Sequence, residues 1–84
     1  MVIVMEYVVY VLRDSVGRVY KGMTNNLERR LKEHRTGSTR STSRMKDLSV
    51  AYTEKFDTFE QARKQELYFK SAAGRRFLKS KLGL

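Results

Sequence analysis

A nearly continuous run of hydrophobic residues lies close to the start of the chain and gives way to a short polar stretch. Residues 7–12 (YVVYVL) are β-branched, aromatic or leucine, which predicts a buried strand. Residues 14–17 (DSVG) have turn chemistry, and residues 18–22 (RVYKG) predict a second strand. Because the connection is so short, we expect the two strands to pair antiparallel.

Helical signals follow the second strand. Asn25 is a predicted cap, and Glu28 lies three positions later, as in a capping box. The helix is expected to run from Leu27 through Arg35 and to be ended by Gly37. A loop rich in Ser, Thr and basic residues covers 38–46.

The second half of the chain predicts one strand and two helices. Residues 48–53 alternate, with Leu48, Val50 and Tyr52 as the apolar set, which is typical of a half-buried strand. Thr58 with Gln61 gives a second capping signal for a helix through about residue 70. Gly74 is expected to break it, leaving a short last helix over 75–81.

The predicted order is β-β-α-β-α-α. A small sheet covered by helices is the simplest way to bury the apolar faces of such elements, so the predicted class is α+β. With 84 residues, the chain is expected to form one small domain over 1–84.

Composition narrows the possible chemistry. The chain contains no cysteine and one histidine, which excludes disulfides, thiol nucleophiles and sites built on several histidines. The apolar run at the start is too short to span a bilayer and lacks the marks of a signal peptide, so we expect a cytoplasmic protein. Lys and Arg number 18 against 9 Asp and Glu, and the resulting net charge of +9 favours a polyanionic partner such as DNA, RNA or an anionic membrane surface.

Two polar residues interrupt the apolar face of the first predicted helix. Leu27, Arg30, Leu31 and His34 have i, i+3, i+4, i+7 spacing, so they share one face, which should turn toward the sheet. One interpretation is that Arg30 and His34 cover apolar surface from the rim. The other is that they take part in a functional site.

The next helix has a carboxylate within its apolar stripe. Glu66 lies among Phe59, Ala62, Phe69 and Ala73 at helical spacing. Buried carboxylates are almost always paired or bound to a metal. Glu66 is therefore either the partner of an arginine, or a metal ligand or general base at the edge of a cleft.

Tyr10 and Tyr20 lie on the two neighbouring strands. Their hydroxyls share a sheet face if the two residues pair directly or with a slip of two, and a slip of one separates them. Together with Arg30, His34 and Glu66 they would suit phosphodiester hydrolysis. A carboxylate can hold a divalent cation on the phosphate, an arginine can balance developing charge, and a phenol or imidazole can take the proton of the attacking water.

The ordered motifs of the chain resemble a known family. The segments that carry the likeness are 8–10 (VVY), 20–22 (YKG), 25–34 (NNLERRLKEH), 59–66 (FEQARKQE), Lys70 and 74–77 (GRRF). Over about residues 5–81 they resemble the GIY-YIG nuclease superfamily, and particularly its small stand-alone bacterial members. Two positions depart from the motif, because Val8 replaces the namesake glycine and Lys21 replaces an aliphatic residue. Lys21 should alternate away from Tyr20 onto the other sheet face.

The resemblance implies a three-stranded antiparallel sheet flanked by helices, and a nuclease that uses a divalent metal, Mg²⁺ or Mn²⁺. The catalytic residues it implies are Tyr10, Tyr20, Arg30, His34 and Glu66, with Glu66 as the metal ligand. No other cofactor and no membrane partner are expected.

Basic residues are expected to carry nucleic-acid binding, with DNA favoured over RNA and with low sequence specificity. The residues assigned to this role are Arg35, Arg40, Arg44, Lys46, Lys70, Arg75 and Arg76. Two alternatives remain open at this point. One is a basic domain that binds nucleic acid without cutting it, and the other is a protein-interaction domain that kept the fold and lost the activity.

Overall fold

The structure is a computed structural model that describes residues 6–83, so residues 1–5 and 84 of the predicted domain lie outside the described part. Its elements are β1 (Tyr7–Arg13), β2 (Val19–Thr24), α1 (Leu27–Arg35), β3 (Ser49–Phe56), α2 (Phe59–Lys70) and α3 (Ala72–Leu82). A single 3₁₀ turn, Arg40–Thr42, interrupts the loop before β3. The predicted α+β class and element order are confirmed. None of the helices within residues 6–83 is long and apolar enough to cross a membrane.

The three strands form an antiparallel sheet in the order β2-β1-β3, so β1 is the central strand. In the β1–β2 hairpin, Tyr10 pairs with Gly22, and Tyr20 pairs with Leu12. The offset between the two tyrosines is therefore two residues. An even offset keeps side chains on one face, so Tyr10 and Tyr20 project to the same side.

The two faces of β1 have different partners. Val9 and Val11 are fully buried in a core with Ala62, Phe69 and Leu78, which belong to α2 and α3. Val8, Tyr10 and Leu12 alternate to the opposite face, and they are buried as well. This strand is buried on both faces, which explains why its sequence is continuously apolar rather than alternating.

The cap of α1 differs from the prediction by one residue. Asn26, not Asn25, is the N-cap, and its side-chain oxygen accepts a hydrogen bond of 3.1 Å from the Arg29 backbone amide. The expected capping box with Glu28 is wrong, because Glu28 falls in the first turn, two positions after the cap. The predicted span to Arg35 is correct.

A bulge changes the phase of β3. Val11 pairs with Tyr52 and Leu12 pairs with Val50, so Ala51 is the extra residue. Ala51 and Tyr52 both pack against the core, while Val50 is 39% exposed. The predicted alternation is therefore wrong at Val50 and Ala51, since one extra residue moves the side chains after it to the other face.

The break between α2 and α3 lies at Ser71, which caps α3, and not at Gly74. Gly74 is inside α3, where a Cβ atom would collide with the backbone of Tyr68 and Phe69. This glycine therefore permits close packing of the two helices rather than ending one. The predicted stripe on α2 is correct at its centre only, because Phe59 is 49% exposed and Ala73 belongs to α3.

Candidate active site

Tyr10, Tyr20 and His34 form a cluster between the β1–β2 hairpin and α1, in which Tyr10 and His34 are buried and Tyr20 is half-buried. The Tyr10 hydroxyl and His34 Nε2 are joined by a hydrogen bond of 2.8 Å. The Tyr20 ring lies 5.0 Å from the His34 ring and 6.2 Å from the Tyr10 ring, centroid to centroid. His34 is only 2% exposed, so the interpretation that it covers apolar surface from the rim is wrong.

Gly22 makes room for this cluster. A Cβ atom at this position would lie 2.5 Å from the Tyr10 hydroxyl oxygen and 3.0 Å from the Tyr20 ring. Real side chains do not approach so closely, and any larger residue would displace the two phenols. Gly22, the glycine of the second motif, is therefore required because Tyr10, the tyrosine of the first motif, packs directly against it.

Thr42 supports His34 from the opposite side. It is fully buried in the 3₁₀ turn, and its hydroxyl lies 2.7 Å from His34 Nδ1. No sequence pattern indicated this contact, since Thr42 is one of several Ser and Thr residues in a polar segment. The signal that could have found it is chemical: a buried imidazole needs a partner at each nitrogen.

Arg30 lies beside the phenols with its side chain 31% exposed, and it also reaches Glu33 at 3.5 Å. Interactions with Tyr10 raise the pKa of Arg30 despite its partial burial, and Tyr20 adds to this effect. Burial raises the pKa of Tyr10 to about 12, although Arg30 works against that rise. Burial, followed by the positive charge of Arg30, lowers the pKa of His34. At neutral pH the cluster therefore holds a protonated phenol beside a neutral imidazole.

Within residues 6–83, the hydrogen bonds and ion pairs of Glu66 are made with Arg63 and Lys70 and not with this cluster. The Glu66 neighbours Ala62 and Phe69 on the inner stripe of α2 pack on the Val9 and Val11 face, which is the other side of the sheet from Tyr10. Arg63 donates a hydrogen bond of 2.7 Å to one carboxylate oxygen, and Lys70 approaches the other at 3.4 Å. The sequence left open whether Glu66 pairs with an arginine, and Arg63 is that partner. The contacts therefore join four of the five predicted catalytic residues and leave the carboxylate separate.

The donor chemistry at Glu66 suits a divalent cation. Its side chain is 10% exposed and offers hard carboxylate oxygens, while both cationic partners are about half exposed and can move aside. Within residues 6–83 no group of three or more His, Asp or Glu side chains comes together. Mg²⁺ is often held by one or two carboxylates, with water and substrate phosphate completing its shell, so a single carboxylate fits this ion.

The basic residues predicted to bind nucleic acid fall into two groups. Arg35, Arg40, Arg44 and Lys46 are exposed at the end of α1 and in the following loop. This loop is tied to the hairpin, because the Ser15 amide donates to the Lys46 carbonyl and Arg18 donates to the Arg44 carbonyl. The second group comprises Lys70, Arg75 and Arg76 on α2 and α3, where all three side chains are exposed.

A family model described as the GIY-YIG catalytic domain matches residues 6–79. The chain belongs to the GIY-YIG family. Membership in this family places the chain in a nuclease superfamily. The resemblance seen in the sequence is thereby confirmed.

Curated relatives of this GIY-YIG chain are UPF0213 proteins. That of Bacillus licheniformis is 40% identical over 62 residues, which cover 73% of this chain and 64% of the relative, so the chain spans less than two thirds of that protein's length. That of Oceanobacillus iheyensis is 37% identical over 78 residues, or 92% of this chain and 88% of the relative. The solution NMR structure of the UPF0213 protein from Bacillus halodurans matches with a TM-score of 0.57 and 29% identity, covering 90% of this chain and 84% of that one.

Proposed function

We propose that the protein is a divalent-metal-dependent nuclease that hydrolyses phosphodiester bonds, favours DNA, and has low intrinsic sequence specificity. The observation that carries the proposal is the hydrogen bond between the Tyr10 hydroxyl and His34 Nε2, with Tyr20 and Arg30 beside it. A basic surface and the family membership support a nucleic acid as the substrate.

The proton of the attacking water would leave through Tyr10. With a pKa of about 12, Tyr10 is protonated at neutral pH and cannot act as a base without passing its own proton on. His34 can take that proton at Nε2 if its Nδ1–H donates to the Thr42 hydroxyl. Water would thus attack phosphorus while its proton moves to Tyr10 and the phenol proton moves to His34. The bond from phosphorus to the leaving ester oxygen breaks with its electron pair going to that oxygen, which then takes up a proton.

Tyr20 and Arg30 would act on the phosphate. The Tyr20 hydroxyl orients the phosphate or the attacking water by hydrogen bonding. Arg30 contacts the non-bridging oxygens, where negative charge grows as water adds to phosphorus. The guanidinium keeps its charge throughout, since its pKa is raised above an already high value.

Glu66 would hold the divalent cation. When bound, such a cation polarises the phosphate and offsets charge on the leaving oxygen. Arg63 and Lys70 each contact one oxygen of this carboxylate in the free protein, so a bound metal would compete with them for those oxygens. We expect Mg²⁺ or Mn²⁺, since both prefer oxygen ligands.

The decisive assay is cleavage of labelled single-stranded and duplex DNA and RNA with Mg²⁺, Mn²⁺ or EDTA. The wild-type protein should cut in either metal and not in EDTA. Glu66→Ala should not cut, whereas Glu60→Ala, an exposed glutamate on the same helix, should retain activity. Binding without cleavage under all metal conditions would favour the non-catalytic basic domain. Neither binding nor cleavage would favour a protein-interaction role.

A further inference from the structure

Lys21 departs from the family motif, and the sheet register fixes where it points. It pairs with Val11 on the central strand, so its side chain lies on the face covered by α2 and α3. Tyr20 projects to the opposite face. The sequence predicted that Lys21 and Tyr20 lie on opposite faces of the sheet. Because Lys21 does not face the phenol cluster, that cluster does not explain its role.

A cavity of about 210 Å³ lies between β2 and α3 beside this lysine. Its lining residues are Gly17, Val19, Lys21, Arg75, Leu78 and Lys79. Three of these residues are cationic, and none is acidic. The cavity is smaller than the roughly 300–1,000 Å³ of typical small-molecule sites, so it has room only for a compact group. Its three cationic residues favour an anionic one.

Among residues 6–83, no carboxylate forms an ion pair with the cationic side chains that line this cavity, Lys21, Arg75 and Lys79. The Glu66 carboxylate is already shared by Arg63 and Lys70. Burial lowers the pKa of Lys21, and repulsion from Arg75 and Lys70 lowers it further. An anion in the cavity would relieve this repulsion.

The cavity and the phenol cluster lie on either side of one open strand edge. β2 has a single neighbour in the sheet, and Tyr20 and Lys21 alternate across it. A nucleic-acid backbone running beside this edge would meet both sites. We propose that Lys21, Arg75 and Lys79 bind one backbone phosphate, distinct from the phosphate that would be cleaved. This inference rests on the proposed nucleic-acid substrate.

The test is the salt dependence of DNA binding by the full chain in EDTA, where cleavage is not expected. The double variant Lys21→Gln, Lys79→Gln is compared with Lys55→Gln, Lys64→Gln, which removes equal charge near the other sheet edge. Loss of one phosphate contact on duplex DNA should lower the slope of log K against log salt by about 0.9, and the control should keep the wild-type slope.

Equal slopes for the two double variants, with wild-type binding intact, would overturn this site alone. Failure of the wild-type protein to bind nucleic acid would overturn the proposed function and the site with it. A parallel NMR titration follows the Lys21 side chain with inorganic phosphate, against chloride at equal ionic strength. Saturation by phosphate together with an unchanged DNA slope would assign the cavity to free phosphate and overturn the backbone assignment.

Discussion

Replacing Thr42 with valine should destabilise the protein although the substitution keeps the shape of the side chain. Valine exchanges the hydroxyl for a methyl group, so packing in the 3₁₀ turn is largely preserved. The His34 Nδ1 atom then loses its partner, which lies 2.7 Å away in the wild-type protein. His34 is 2% exposed, so water does not replace the lost hydroxyl readily.

The loss of stability expected for Thr42→Val follows from the burial of His34. Leaving a buried polar group without a partner costs about 1–3 kcal/mol. In a domain of this length, each 1 kcal/mol shifts Tm by about 4–8 °C. We therefore expect Thr42→Val to lose about 1–3 kcal/mol and to melt at least about 4 °C below the wild-type protein.

Thr39 provides the matched control. Its hydroxyl is buried and has no hydrogen-bond partner among the described residues, and it lies in the same loop. Thr39→Val should be neutral or stabilising, because it removes a buried hydroxyl that makes no hydrogen bond in the folded state to offset its loss of water. Thermal and urea unfolding of both variants, with Thr42→Ser as a hydroxyl-retaining reference, measures the difference. Equal stabilities for the two valine variants would refute the support of His34 by Thr42.

Four further predictions address the site. Tyr10→Phe should lower the cleavage rate by about 10²–10⁴-fold with nucleic-acid binding retained, while Tyr68→Phe on the exposed face of α2 should leave the rate unchanged. Gly22→Ala should cost about 1–3 kcal/mol in urea unfolding, because the added methyl collides with the Tyr10 hydroxyl; wild-type stability would refute that collision. Because the pKa of His34 is lowered in the folded state, the unfolded chain takes up this proton first, so the free energy of unfolding should fall as pH drops below about 6.5; His34→Gln should flatten that part of the profile. Glu66→Gln should abolish cleavage but preserve DNA binding, and in EDTA it should lower stability by no more than about 1 kcal/mol, since its two cationic partners are about half exposed; a larger loss with cleavage retained would assign Glu66 a structural role.

Periodicity predicted most of the fold. The continuous apolar run of β1, the turn after it and the helical spacing of α1 are local signals, and each led to the correct element. The errors arose where tertiary contacts decide the outcome. The bulge at Ala51 and the close approach at Gly74 depend on neighbouring backbone that no local pattern encodes.

The candidate site divides in the same way. Polar residues within apolar stripes drew attention to His34 and Glu66, and the structure buries both, although the sequence left open whether His34 lies at the rim. The sequence could not show that both Arg63 and Lys70 contact the Glu66 carboxylate. It also could not single out Thr42, whose importance comes entirely from a contact across the loop.

The residues of the proposed site come from two halves of the chain, and these halves are joined in the sheet by the pairing of β1 with β3. The phenol cluster and Thr42 precede β3, whereas Glu66 follows it, and β3 joins the sheet only by pairing with β1. Two fragments divided just before β3 would each carry an incomplete set of the proposed catalytic groups. Their reassociation would have to rebuild the sheet before the two sets could cooperate, so a split form of this protein would couple the proposed nuclease activity to fragment complementation.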